Sequence, residues 1–440
     1  MNHNTQATVT VLMLLAGWLA AWSAVAVPQI ERWETSNGGR VLYVHTPQLP
    51  IVDIRVIFDA GSARDGAQGG LASLTNGLLS SGAANRGEEM IAETVDRLGA
   101  QLGFESLRDM ALISLRSLSD GELLDPALAL VSDLIHQPFF PQSAFERERS
   151  RQLVGIQSQK QSPATIANQA FFRALYGKHP YAEPSSGTEE SVKGLKRSDL
   201  RRFHGEYYVG KNAIVAIVGD LERGRAKEVA EQIIGRLPSG EKAAPLQKAT
   251  IARPGETLYT RYPSVQSHLL MGHPVLRRGD PDYFDLYVGN HMLGGSGLTS
   301  KISEELREAR GLAYSAYSYF SPMRGEGPFK AGLQTKNENR DEALEVLRET
   351  ITRFVTLGPT AEMLERSKKN ITGGFPLRID SNKKIVEYLG MIGFYGLPAD
   401  YLNTFNRNVE QTTVESIQDA FKRRLHPTAM VTIVVGGPVN

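Results

Sequence analysis

Cysteine is absent from the 440-residue chain. That excludes disulfide staples and thiolate metal sites, although it fixes no compartment. Neither sign of charge is in excess: 49 Lys and Arg face 48 Asp and Glu, for a net charge of +1. A nucleic acid or other polyelectrolyte partner is therefore not implied. Histidine is present but poorly placed for metal. His3, His45, His136, His179, His204, His268, His273, His291 and His426 include no pair four apart. No helix turn thus offers two imidazoles to one ion. His268 and His273 are five apart in a strand-like segment, a spacing that gives no shared ligand face.

Long apolar runs are scarce. One, Thr8–Trp22, lies near the start and is followed by Ala24-Val25-Ala26, an A-x-A-like cleavage site, and by Val27-Pro28. Residues Met1–Ala26 read as a secretory signal peptide, which predicts export, to the periplasm in a Gram-negative cell. The preceding MNHNTQ carries no Lys or Arg. A retained anchor is the other reading, although about 15 apolar residues is short for a spanning helix.

The remaining chain alternates strand and helix patterns. Ile51–Ala60 reads as a strand with Val52, Ile54, Val56 and Phe58 on one face, and Ala111–Leu118 and Ala213–Val218 as further strands. Helices are expected over Gly70–Ser80, Glu88–Leu98, Asp125–His136, Ser143–Lys160 and Glu189–Tyr207. The second half replays the order. Glu148-Arg149-Ser150 recurs at Glu365-Arg366-Ser367, 217 residues on, and DPALAL from Asp125 resembles DEALEV from Asp341, 216 on. AIVAIVG and AMVTIVVG end at Gly219 and Gly436, again 217 apart. Three echoes at nearly one offset point to a duplication. The composition breaks at Leu237–Glu256, with a linker placed at residues 241–254. The expected fold is α+β: two homologous domains, about 27–240 and 255–440, each a mostly antiparallel sheet with helices on one face.

The stretch Glu304–Tyr319, EELREARGLAYSAYSY, carries the candidate chemistry. Arg307 sits on a helix that Gly311 can close, and Tyr314 opens a strand-like segment. A guanidinium and a phenol are thereby delivered to one helix–turn–strand corner. Such a donor pair can hold a carbonyl oxygen as it becomes an oxyanion. Gly294, Gly295 and Gly297 lie just upstream. They read either as a flexible loop admitting a peptide backbone or as a helix stop with a tight turn.

LREARGLAYS, from Leu306, is similar to the LREKxGLAYSV-type segment of the pitrilysin/insulinase family, peptidases with the inverted zinc motif HxxEH. The resemblance spans the chain from about Val27 onward and implies two alike domains facing each other as a clamshell. It also implies that Arg307 and Tyr314 reach substrate at a zinc centre. In HxxEH, two His on one helix face take one ion, the Glu acts as general base on the zinc-bound water, and a Glu on a later long helix completes the site. Here the corresponding stretch is GLASLTNGL from Gly70. Ser73 stands at the first His, Asn76 at the base and Gly77 at the second His; Gly155 stands at the distal Glu. None of these is a competent zinc ligand. No G-x-S-x-G surrounds Ser73, so a serine nucleophile finds no support either.

The family contains heterodimers in which one subunit carries zinc and the other is metal-free. The resemblance therefore implies a non-catalytic, substrate-binding subunit with no cofactor of its own. Its partner would be a zinc-bearing homologous subunit, and its substrate an extended peptide laid on a sheet edge. A peptide-binding or chaperone-like module without a peptidase role, and a homodimeric scaffold, are the alternatives left open by the residues themselves.

Overall fold

Ala213–Gly219 (AIVAIVG) is buried along its whole length. A continuous apolar run is what a strand covered on both faces requires. Ala213, Val215 and Ile217 join one core, and Ile214, Ala216 and Val218 another. The computed structural model describes residues 28–437, so the leader expected at Met1–Ala26 lies outside the described residues. Among the described residues no helix is long and apolar enough to cross a membrane.

The first sheet comprises β1 (Glu31–Glu34), β2 (Arg40–His45), β3 (Ile51–Phe58), β4 (Gln101–Ser106), β5 (Ala111–Leu118) and β6 (Ala213–Gly219), in the order β1-β2-β6-β3-β5-β4. The second comprises β7 (Thr257–Arg261), β8 (Gln266–Leu276), β9 (Ser315–Phe320), β10 (Gly327–Lys336) and β11 (Val431–Gly436). Its order, β7-β11-β8-β10-β9, repeats β2-β6-β3-β5-β4 strand for strand. The parallel pairing also recurs in place, β2 with β6 and β7 with β11, while the other pairs are antiparallel. The duplication seen in short sequence echoes is thus present in the topology.

Each sheet's own helices cover one face. In the first half these include α1 (Leu71–Gly77) and α2 (Gln142–Gln159). The next helix, α3 (Pro163–Tyr176), does not stay there. Its Phe171, Phe172 and Leu175 pack against Leu270 of β8 and Val431, Ile433 and Val435 of β11, in the second sheet. The second half contains α4 (Tyr283–Asn290) and α5 (Ala361–Gly374), followed by α6 (Asn382–Tyr395). That last helix makes the reciprocal move. Ile385, Leu389 and Ile392 share a core with Leu42 of β2, Ile57 of β3 and Ile214 of β6. Gly393 lets α6 lie this close, because a Cβ there would strike Leu42 and Ile214. Arg32 and Arg40 donate to the carbonyls of Leu397 and Gly393, at 2.7 and 2.8 Å. Gly393 lies in the last turn of α6 and Leu397 two residues beyond its end, where carbonyls lack helical partners and the dipole favours a cation.

A polar knot joins the halves as well. The Asp109 carboxylate, 4% exposed, accepts from the Tyr181 hydroxyl at 2.5 Å, the Tyr395 hydroxyl at 3.1 Å and the Arg324 backbone N–H at 2.8 Å. Residues 238–250 carry no helix or strand. Two expected helices differ in detail. The one over Glu189–Tyr207 is two, Glu189–Gly194 and Arg197–Tyr207. The Asp199 side chain takes the Lys196 N–H at 2.8 Å and starts a new helix there. The helix expected over Gly70–Ser80 ends at Gly77 and tightens into a 3₁₀ turn, Leu78–Ser81.

Burial fixes the protonation of one histidine in this frame. His273 is 2% exposed; its Nδ1–H donates to the Pro274 carbonyl at 2.9 Å and its Nε2 accepts the His426 N–H at 3.1 Å. Desolvation pushes its pKa down to about 4. A depressed imidazole pKa adds stability that is present above the unfolded value, near 6.5, and is lost as pH falls through about 4. The expected loss over that window is about 2–3 kcal/mol. Urea unfolding at stepped pH measures it, and His273→Phe should flatten that part of the slope. An unchanged slope in the variant rejects the assignment.

Candidate functional site

Asp65 sets the start of α1. Its carboxylate accepts the N–H groups of Gly70 and Ala72 at 2.8 and 2.7 Å. The helix then carries Ser73, Asn76 and Gly77 past the edge strand β4. Ser73 is half-buried and Gly77 exposed, and a Cβ on Gly77 would meet open space. Gly155 on α2 is exposed with open space beside it too. Asn76 is the opposite case, at 1% exposure. Its Nδ2 donates to the carbonyls of Glu105 (2.9 Å) and Leu112 (3.2 Å), and its Oδ1 accepts the Tyr208 hydroxyl at 3.0 Å. Asn76 is thus a structural amide, bonding α1 to β4 and β5. With two glycines, one serine and this committed amide, the residues do not fit a zinc ion.

Asn76→Asp tests that reading, because it keeps the shape and turns the donor into an acceptor against two carbonyl oxygens. Stability should drop by about 3 kcal/mol at neutral pH. It should recover on acidification, as the carboxyl regains a donor proton. Chemical unfolding at neutral and acidic pH measures both, and a variant as stable as the parent at neutral pH rejects the role.

The corner at Arg307 is built differently from the expected α-helix. Lys301–Ser303 continues into a π-helical turn, Glu304–Glu308. Gly311, at φ +63°, reverses the chain, and the Gly311 N–H bonds the Arg307 carbonyl at 3.0 Å. Strand β9 begins one residue after Tyr314. The Arg307 guanidinium lies 4.8 Å from the centre of the Tyr314 ring, and its Nε is 3.3 Å from Glu308. Tyr314 is 83% exposed. A cleft of about 410 Å³ beside it is lined by Gly311, Leu312, Tyr314, Gln334 and Lys336. The fold therefore brings Arg307 and Tyr314 into contact. It also gathers Ser73, Asn76 and Gly77 on one short helix, with Gly155 on its neighbour. Among the described residues, no hydrogen bond joins one set to the other.

The glycines upstream serve packing and also line a cleft. Gly294 lies in a π-turn, His291–Gly295, against β9, where a Cβ would strike Ser318. Gly297 turns the chain at φ +64°. All three line a cleft of about 610 Å³ with Tyr317, Tyr319, Arg278 and Arg378. Asn290, at the end of α4, donates to the Ser318 carbonyl of β9 at 2.9 Å, as Asn76 does to Glu105 of β4. This second edge-strand amide was missed in the sequence. Its one signal was an Asn at 290 − 76 = 214 residues' remove, close to the repeat offset.

The insulinase (peptidase family M16) model matches residues 40–189, and the model of the peptidase M16 inactive domain matches residues 194–371. A crystal structure of a peptidase M16 inactive domain from Pseudomonas fluorescens is 36% identical. It superposes with a TM-score of 0.90 over 93% of this chain and 98% of that one. This chain belongs to peptidase family M16. Other M16 relatives carry divergent names. The uncharacterized zinc protease YmxG of Bacillus subtilis is 27% identical over 80% of this chain and 85% of its own. The non-peptidase homolog YmxG of Helicobacter pylori is 25% identical over 87% and 88%.

Proposed function

We propose that this M16 chain is the non-catalytic, substrate-binding subunit of a heterodimeric zinc endopeptidase, exported to the periplasm by its leader. A homologous partner with an intact HxxEH motif supplies zinc and the Glu base. Arg307 and Tyr314 of this chain donate to the scissile carbonyl in the partner's site.

The exposure of Tyr314 carries the reading. A tyrosine normally buries its ring and satisfies its hydroxyl. Tyr314 is 83% exposed, held only against the Arg307 guanidinium at the mouth of an open cleft. The cation fixes the ring and leaves the phenol O–H free for an external acceptor. The substrate is an extended peptide. Edge strands β4 and β9 end their sheets with unpaired backbone groups, to which such a peptide can add.

The test is to purify the chain alone, an HxxEH-bearing M16 chain alone, and the mixture, and to assay peptidase activity and bound zinc in each. Activity confined to the mixture supports the proposal. Zinc-dependent activity in the isolated chain overturns it. Peptide binding without activity in any mixture supports instead a peptide-binding, chaperone-like module.

A further inference from the structure

Two cations stand side by side between the halves without carboxylate partners. Lys330, on β10, is 9% exposed. Its Nζ donates to Asn168 Oδ1 at 2.9 Å and lies 5.0 Å from the Tyr319 ring centre. The Arg108 guanidinium, in the turn between β4 and β5, sits 3.7 Å over the Phe172 ring, and its Nε donates to the Tyr181 carbonyl at 3.3 Å. Asn168 and Phe172 are four apart on α3, so they lie on one face in successive turns. The two cations are therefore neighbours across that face.

Neither makes an ion pair among the described residues, although the charge of Asp109 acts on Arg108. Asp109 follows Arg108 in sequence, but its oxygens are taken by Tyr181, Tyr395 and the Arg324 N–H. Burial, with Arg108 adding to it, pushes the Lys330 pKa down to about 8. A desolvated ammonium beside a guanidinium costs stability, and an apolar residue of similar size would be preferred there on stability alone. The pair is not sealed from solvent. Tyr317 and Tyr319, stacked at 5.7 Å, are each 37% exposed, and Leu107 beside Arg108 is 41% exposed.

We infer that Lys330 and Arg108 form a carboxylate-binding subsite between the two halves, which selects an acidic side chain in the bound peptide. The subsite rests on the peptide-binding reading above and adds a substrate class to it. A peptide added to the β4 edge runs toward the β4–β5 turn, where Arg108 waits. Two Lys330 N–H donors remain beyond the one given to Asn168, and the Arg108 fork retains its terminal nitrogens.

Short fluorescein-labelled peptides of Ala, Ser and Thr, with one Glu walked along them, test this against twins carrying Gln. At one position Glu should bind the full chain about tenfold or more tighter than Gln. Lys330→Met should abolish that preference by weakening the Glu peptide far more than the Gln peptide, and raise the melting temperature. A purely structural lysine would give the reverse shift in melting. Equal affinity of Glu and Gln at every position, or a preference that survives Lys330→Met, overturns the inference. If no peptide binds, the peptide-binding reading has failed. The subsite is then decided by N-acetylglutamate titrated into ¹³C-lysine-labelled protein, where a saturable shift of the Lys330 signal supports it and none overturns it.

Discussion

Tyr314→Phe should lower the turnover of the proposed heterodimer by roughly a hundredfold or more, with assembly unchanged. The substitution keeps the ring and its contact with Arg307, at 4.8 Å, and removes only the hydroxyl. One lost oxyanion donor typically raises the barrier by about 2.7–4 kcal/mol. A carbonyl oxygen gains charge on the way to the tetrahedral state, so the bond matters more there than in the bound substrate. kcat should therefore fall while KM moves little. Arg307→Met should act in the same direction, and the double variant should lose less than the sum, because the two groups share one acceptor and touch each other. Size-exclusion chromatography and steady-state kinetics on the mixture give both readouts. Turnover equal to that of the parent complex removes the role.

Asp109→Ala should cost about 4 kcal/mol of unfolding free energy, as three donors lose a buried ionic acceptor. Those donors come from both halves: Tyr181 from the first, Tyr395 and the Arg324 N–H from the second. The damage should therefore spread unevenly. Hydrogen exchange should quicken at α3 and α6, which sit on the junction, before it quickens in the strands. Asp109→Asn keeps an acceptor but turns an amide N–H toward hydroxyl donors, and should fall between. Urea unfolding measures the total. A loss below about 1 kcal/mol would show that Asp109 contributes little to holding the halves together.

Much of this architecture was legible in local pattern. β3 and β6 were readable from alternation and from an unbroken apolar run, and the duplication from three short echoes. What pattern could not give was the destination of α3 and α6. A helix periodicity states which face is apolar, not which sheet will cover it. That Ser73, Asn76, Gly77 and Gly155 stand where the family keeps its zinc set is what the family segment implies, and no periodicity carries it. The work Asn76 does was not, since its partners Glu105, Leu112 and Tyr208 are 29, 36 and 132 residues away. Nothing in the local pattern around Lys330 marks it as buried. Only α3, arriving from the other half, turns it into a buried cation.

The crossing of α3 and α6 bears on whether either half can stand alone. A lone half would leave one side of its sheet bare, with Val431, Ile433 and Val435 or their equivalents facing water. Cutting the chain near residue 245 should therefore yield fragments that recombine or precipitate, and not two independent proteins.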